Sequence, residues 1–346
     1  MNSKTYSRPV GVVGAGSFGT AVANILAINN QVLLYARKPE VVEEMLATRQ
    51  NSGQKLHLNV EPTHDLEQVA QDCEMIFPVV PSANFRELMR RMAPYLRPYH
   101  ILIHGTKGLD LSPANKKVQE ISRAHISTMS EVILQETCVL RVGCLAGPNL
   151  AKELADGQPA ATVVASRYNE VIEEGISLLK NDRFQVYGST DLIGVELSGV
   201  LKNIIAIASG IISGIGLGEN FRGVLISRGM VEMIYIGRAL GGNTEAFLGL
   251  AGIGDLVTTC SSQHSRNFTV GYRLAQGQSL EQISSSMEEV AEGVNTIKII
   301  KNLSRKIGIR PPITEALYKV LFEGLDVHLA IGNLMKYPYN TDVDFL

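Results

Sequence analysis

The sequence predicts an α/β chain with a doubly wound sheet in its N-terminal half, followed by an all-helical C-terminal domain. Three observations support this. Short apolar runs alternate with helical patterns up to about Ser189, as strands joined by helical crossovers require. The string Gly14-Ala15-Gly16-Ser17-Phe18-Gly19 stands between the first apolar run and the first helical pattern, which makes the sheet Rossmann-like. From Asp191 onward the patterns are helical almost without interruption. A chain of 346 residues is long for one hydrophobic core. The expected domains are therefore 1–190, binding a dinucleotide, and 191–346, binding substrate and carrying the catalytic group.

In order, residues 10–13 read as a strand, 18–27 as a helix, 31–35 as a strand and 39–48 as a helix. Further strands are expected at 75–80, 101–104, 139–146 and 161–165, with helices at 84–92 and 170–179 among them. The second half shows helical periodicity at 191–213, 222–240, 265–276, 296–306 and 314–322. Strands separated by helical crossovers specify a parallel sheet.

Composition excludes several classes. Hydrophobic residues at 45%, charged residues at 19% and a net charge of -2 describe a globular protein without the basic surface that nucleic acid or an acidic membrane would require. The longest apolar helical run, 204–215, is too short to span a bilayer, so stable membrane insertion is not expected. Cys73, Cys138, Cys144 and Cys260 lack zinc spacing and read as reduced thiols, so the expected compartment is the cytoplasm and no metal site is expected. Cys260, beside polar Thr258, Thr259 and Ser261, is the one candidate for reactivity.

The glycine string has a physical reading. Gly14 permits the tight turn, Gly16 lets the backbone approach a pyrophosphate, and Gly19 lets helix and strand pack closely, with phosphates on the helix N-terminus. An NAD site usually offers a carboxylate at the end of the second strand to bind the ribose. Here Arg37 and Lys38 stand there instead, which favours the 2'-phosphate of NADP, while Glu40 keeps NAD possible.

Lys202 lies in one of the most apolar stretches of the chain, and a buried ammonium must find an anion or lose its proton. At helical spacing it shares a face of small or polar side chains with Gly199, Asn203, Ala206, Ser209 and Gly210, which is expected to leave room for a ligand. Lys107, in Gly105-Thr106-Lys107-Gly108, follows a strand end where ligand groups gather. Gly147-Pro148-Asn149 opens another helix, and Asp255 follows the apolar loop 249–254, where helix capping is its simplest role. Ser265-Arg266-Asn267 brings a hydroxyl, a guanidinium, an amide and backbone amides to one helix start, a suitable phosphate site.

With Gly14 to Gly19, Thr106-Lys107-Gly108, Gly147-Pro148, the segment 195–203, the loop 249–255, Ser265-Arg266-Asn267 and the segment 290–294 in this order, the chain resembles the NAD(P)-dependent glycerol-3-phosphate dehydrogenases of bacterial type. The resemblance runs from about residue 10 to 322. It implies reversible reduction of dihydroxyacetone phosphate to sn-glycerol 3-phosphate, the backbone precursor of phospholipids. It implies cofactor contacts at Gly14, Gly16, Ser17, Phe18, Gly19, Arg37, Lys38, Lys107, Ala151, Arg266, Val290 and Glu292. Substrate contacts are implied at Lys107, Gly147, Asn149, Lys202, Asp255, Ser265, Arg266 and Asn267, with Lys202 as the proton-transferring lysine. It further suggests a homodimer. Phe18 and Tyr35 stand where the family commonly has Trp, and Asn149 where Ser or Thr is usual.

Overall fold

The computed structural model describes residues 8–111, 121–287 and 291–336. Val290 lies outside them. The chain divides into two compact units, one of Met1–Asp110 with Thr128–Leu192, the other of Leu111–Ser127 with Ile193–Leu346.

The first unit is built on an eight-stranded sheet. Its strands are β1 (Val10–Val13), β2 (Val32–Tyr35), β3 (Val60–Thr63), β4 (Met75–Pro78), β5 (Ile101–His104), β6 (Arg141–Ala146), β7 (Ala160–Ser166) and β8 (Phe184–Ser189). In space they run β8-β7-β6-β5-β4-β1-β2-β3. Because β1 lies between β2 and β4, the strand order reverses beside it, and ligands of doubly wound sheets bind at such a switch point. Alternate side chains feed two separate cores. Val10, Val12, Leu34, Phe77 and Ile103 belong to one, while Val13, Leu33, Ile76 and Leu102 belong to the other. Both faces are therefore apolar, which explains the continuous hydrophobic runs of the central strands.

The edges depart from the sequence reading. The strands β3 and β8 were not expected. Both are edge strands, and both carry the marks of edges: Pro62 in β3, and exposed Gln185 and Tyr187 alternating with buried residues in β8. The sheet is also not wholly parallel, since β7 runs antiparallel to β6 and β8 runs parallel to β7. Between β6 and β7 the chain forms only the five-residue helix Ala151–Ala155, and an antiparallel neighbour needs no full crossover.

The helices of this unit are α1 (Ser17–Leu26), α2 (Pro39–Thr48), α3 (Leu66–Asp72), α4 (Ser82–Met92), α5 (Met129–Glu136), α6 (Ala151–Ala155) and α7 (Asn169–Leu179). The second unit is helical. It comprises α8 (Leu192–Gly214), α9 (Glu219–Ala239), α10 (Thr244–Leu248), α11 (Asp255–Ser261), α12 (Arg266–Ala275), α13 (Leu280–Ser286), α14 (Glu292–Ile307), α15 (Pro312–Phe322) and α16 (Val327–Met335). The short helices α3, α5, α10, α13 and α16 escaped the sequence reading because two turns give little periodicity to detect.

The helix α8 has 23 residues, longer than the apolar run counted in the sequence and long enough to cross a membrane by length and composition alone. Its most apolar window is wholly buried by protein, as in a central core helix. At its Gly210 end, the face of α8 expected to admit a ligand admits another backbone. A Cβ on Gly210 would stand 2.0 Å from the Phe268 carbonyl oxygen, and one on Gly271 would stand 1.9 Å from that of Ile207. Thus α8 and α12 cross at backbone contact, and only glycine fits there.

A second buried charge organises this unit. Glu232 on α9 accepts hydrogen bonds from the amides of Ile313 and Thr314 at 2.7 and 3.0 Å and from the Thr314 hydroxyl at 2.5 Å, capping α15 from a distant helix. Burial pushes its carboxyl from 4.5 up to about 7, against the opposing pull of these donors. Between about pH 4.5 and 7 the folded state therefore holds a proton that the unfolded state has lost, so this group's contribution to stability falls as pH rises through that window and levels off above it. Urea unfolding at pH 5 and pH 7.5 is expected to show the protein losing stability relative to a Glu232→Gln variant as pH rises. A constant difference between the two would mean that Glu232 is ionised throughout.

Candidate active site

In the first unit, candidate residues gather at the carboxyl ends of β1, β5 and β6. Gly14 ends β1 with φ of 124°, and a Cβ there would lie 2.2 Å from the Val79 carbonyl oxygen. A Cβ on Gly19 would lie 1.8 Å from the carbonyl oxygen of Gly14 itself. The strand therefore turns into α1 along a path only glycine allows. Gly16 is the N-cap of α1 and makes no side-chain cap, so no side chain of its own competes for the first-turn amides of Ser17 and Phe18. Carbonyl groups in this turn are held from outside. Asn51 Nδ2 donates to Ala15 O at 2.8 Å and to Thr20 Oγ1 at 2.6 Å, and Gln54 Nε2 donates to Ser17 O at 2.7 Å. Such a cradle fits a dinucleotide pyrophosphate.

Arg37 and Lys38 follow β2, both exposed, with Lys38 as the N-cap of α2. Lys107, beyond β5, donates from Nζ to the carbonyl oxygen of Gly147 at 3.1 Å, so two expected substrate residues are in direct contact. Asn149 is engaged by the fold: Nδ2 donates to Ala161 O at 3.0 Å, and Oδ1 accepts from Thr162 Oγ1 at 2.8 Å. Ala151 is the first residue of α6.

In the second unit Lys202 is buried at 5% exposure, and its Nζ donates to Asp255 Oδ1 at 2.8 Å and to Thr259 Oγ1. Asp255, 2% exposed, was expected to cap the following helix. It is instead the first residue of α11, where the helix N-terminus favours its negative charge, and its carboxylate faces the lysine. The Thr259 hydroxyl gives its own hydrogen to the Asp255 carbonyl at 2.6 Å, and so it must present a lone pair to Lys202. Thr259 was missed in the sequence, although its position one turn after Asp255 placed it on the same helix face. Hydrogen bonds from Ser198 Oγ to Ala251 O at 3.1 Å and from Ser209 Oγ to Cys260 O at 2.8 Å fix α11 and its preceding turn to α8 on either side of the lysine.

Ser265 caps α12 by accepting the Phe268 amide at 3.3 Å, and Arg266 stands exposed on the first turn. Asn267 joins three elements. Its Nδ2 donates to Asn203 Oδ1 and its Oδ1 accepts from the Gly293 amide, both at 2.9 Å. That amide adjoins Glu292, the first residue of α14, so Asn203, Asn267 and Glu292 are brought together. Cys260 is fully buried, and burial pushes its thiol up to about 12 against the nearby charges of Lys202 and Arg222. It is inert packing rather than a nucleophile.

A dinucleotide cradle on a doubly wound sheet and a buried lysine in a following helical unit define the class, a two-domain nicotinamide-dependent dehydrogenase. Two family models match the chain: the N-terminal domain of NAD-dependent glycerol-3-phosphate dehydrogenase over residues 9–172, and its C-terminal domain over residues 191–332. The chain belongs to that family. It is 41% identical to the glycerol-3-phosphate dehydrogenase (NAD(P)+) of Pseudomonas putida strain F1 over 347 positions, covering 99% of this chain and 98% of that protein. The enzyme of the same name from Pseudomonas aeruginosa strain LESB58 is 41% identical over 348 positions, with the same coverage. Among solved structures, the glycerol-3-phosphate dehydrogenase of Coxiella burnetii matches with a TM-score of 0.86 at 34% identity, over 95% of this chain and 99% of that one.

The Lys202–Asp255 pair carries a stability prediction. Removing Asp255 leaves a buried ammonium uncompensated, so Asp255→Ala is expected to cost about 3–5 kcal/mol at neutral pH. Lys202→Met combined with Asp255→Ala should recover part of that loss, because the stranded charge is gone. Chemical denaturation of the two variants checks this; a double variant no more stable than Asp255→Ala would show that cavity formation, not charge, sets the cost.

Proposed function

We infer that this chain reversibly reduces dihydroxyacetone phosphate to sn-glycerol 3-phosphate with NADPH preferred and NADH accepted, supplying glycerophospholipid synthesis. The observation that carries the reading is the buried Lys202–Asp255 pair in a chain that matches this dehydrogenase family through both domains. We assign the dinucleotide to Gly14, Gly16, Ser17, Phe18 and Gly19, with Arg37 and Lys38 toward the 2'-phosphate; Lys107, Ala151, Arg266, Val290 and Glu292 complete that assignment. Exposed cations after β2, in place of a carboxylate, support the preference for NADP.

When bound, the reduced nicotinamide supplies the hydride. As the carbonyl carbon is reduced, negative charge grows on its oxygen, and the Lys202 ammonium stabilises that charge and gives up a proton to it. Asp255 and Thr259 hold Nζ in place and supply the compensating negative charge and lone pair that let a cation remain in an apolar helix. We assign substrate contacts to Lys107, Gly147 and Asn149 in the first unit and to Asp255, Ser265, Arg266 and Asn267 in the second. The homodimer that the family suggests and a cytoplasmic location belong to the same reading, the latter supported by four cysteines that are all free thiols.

The direct test is NADPH oxidation with dihydroxyacetone phosphate beside a panel of 2-keto acids; preference for a keto acid would overturn the substrate. Lys202→Met keeps the stem and removes the acid. It is expected to fold and bind NADPH while turning over at least about a hundredfold more slowly, and near-normal turnover would remove Lys202 from the chemistry. A guanidinium fork matches phosphate oxygens. Arg266→Ala should therefore impair dihydroxyacetone phosphate far more than unphosphorylated dihydroxyacetone. An equal loss for both substrates would move Arg266 out of phosphate binding.

A further inference from the structure

We propose that Arg86 is a positioning residue for Lys107, acting through a buried clasp on Asp110. The proposal rests on the substrate role assigned to Lys107 above. Arg86 lies on α4 and is only 8% exposed. Its guanidinium reaches three acceptors at once. Nε donates to Asp110 Oδ2 at 2.8 Å, Nη2 to Gln135 Oε1 at 2.9 Å, and Nη1 to Glu136 Oε1. Arg90, one turn further along α4, donates from Nε to Glu136 Oε2 at 2.9 Å. The Arg90 hydrogen bond, helped by Arg86, holds the Glu136 carboxyl below its ordinary range. Two carboxylates and an amide, from α5 and from the loop after β5, thus converge on one arginine. An arginine cannot shed its proton, so burial at this depth is tolerated only with such partners.

The placement of Asp110 gives the clasp its consequence, for Asp110 comes three residues after Lys107. The other end of the loop is also tied: Thr106 Oγ1 donates to Val80 O at 2.7 Å, and the Gly105 amide donates to Pro78 O at 3.0 Å. Lys107 therefore sits on a short span anchored on both sides to the sheet and α4, and from there its Nζ reaches Gly147. A lysine stem has large rotamer freedom, so the reach of its ammonium is set by how firmly its backbone is held. Loss of the Asp110 carboxylate removes the tie between this loop and the Arg86 guanidinium on α4. A lysine in place of Arg86 preserves the charge but cannot present a planar fork to three separated acceptors.

The experiment uses the full chain with Asp110→Ala and, as a gentler variant, Arg86→Lys. Hydrogen exchange of the 105–110 amides tests the clasp without recourse to turnover. Exchange about tenfold faster or more is expected in both variants, with protection of β1 and β4 retained; unchanged exchange overturns the clasp. Kinetics test its purpose. The KM for dihydroxyacetone phosphate is expected to rise about threefold to tenfold in Asp110→Ala, the scale of a modest misplacement, while NADPH affinity measured by nucleotide fluorescence stays within twofold. In a Lys107→Met background Asp110→Ala should raise KM no further, because the residue through which it acts is gone. Effects that multiply in the double variant would make the role merely structural and overturn the proposal. Absence of turnover with dihydroxyacetone phosphate in the unaltered protein would overturn the substrate reading instead, and the exchange data would still decide whether the clasp orders the Lys107 loop.

Discussion

A charged lysine in an apolar helix is the constraint on which the helical unit depends. Moving an ammonium out of water costs several kcal/mol even after relaxation, and attraction to one carboxylate offsets that only with good geometry and further hydrogen bonds. At Lys202 the compensation is complete in kind: an anion at 2.8 Å, a hydroxyl lone pair, and a helix N-terminus behind the anion. These partners all come from one short helix. The wide turn Leu250–Gly254 sets the point where α11 begins, and Ser198 and Ser209 bind the polypeptide just before and just after it. The small residues of the loop and the serines of α8 follow from a single requirement, that Asp255 and Thr259 arrive together at Nζ.

The nucleotide-binding unit meets the opposite requirement. There backbone donors must be left available for an anion while carbonyl groups of the same turn are satisfied. The short antiparallel pair Gln50–Asn51 and Gln54–Lys55 meets the second need, with Asn51 and Gln54 donating to Ala15 and Ser17. Glycine meets the first by removing the side chains that would fill the space. One unit thus places a cation by surrounding it with acceptors, and the other prepares an anion site by occupying acceptors with donors brought from elsewhere in the chain.

What the sequence makes legible follows from the range of the interactions. The central strands, the glycine turn, the long helices and the conspicuous Lys202 are written in contiguous residues, through apolar runs, fixed glycine spacing and helical period. Edge strands such as β3, with Glu61 and Pro62, dilute that pattern because one side of them faces solvent. The reversal of β7 depends on a connection whose direction no local pattern encodes. Asn149 also holds a structural place, its amide bonded to Ala161 and Thr162, partners that become neighbours only when β7 folds back. Thr259 was legible in principle through its spacing from Asp255; Asn51, Gln54 and Arg86 were not, because their partners lie far away in sequence.

Two of the buried carboxylates of the helical unit, Asp255 and Glu232, show why a partner's charge matters more than burial itself. Asp255 and Glu232 are comparably inaccessible, and each meets the start of a helix. Among the described residues Glu232 faces amides and a hydroxyl but no cation, and burial lifts its carboxyl to about 7, so three neutral donors do not restore what water supplied. Asp255 faces an ammonium. A neutral hydrogen bond offsets part of the desolvation of a charge, whereas an opposite charge at contact distance both offsets it and is itself stabilised. Glu232 is thereby suited to hold one helix against another, where either protonation state still accepts a bond. Lys202 meets a full negative charge instead, and that pair keeps its ammonium ordered while leaving the surrounding helix apolar.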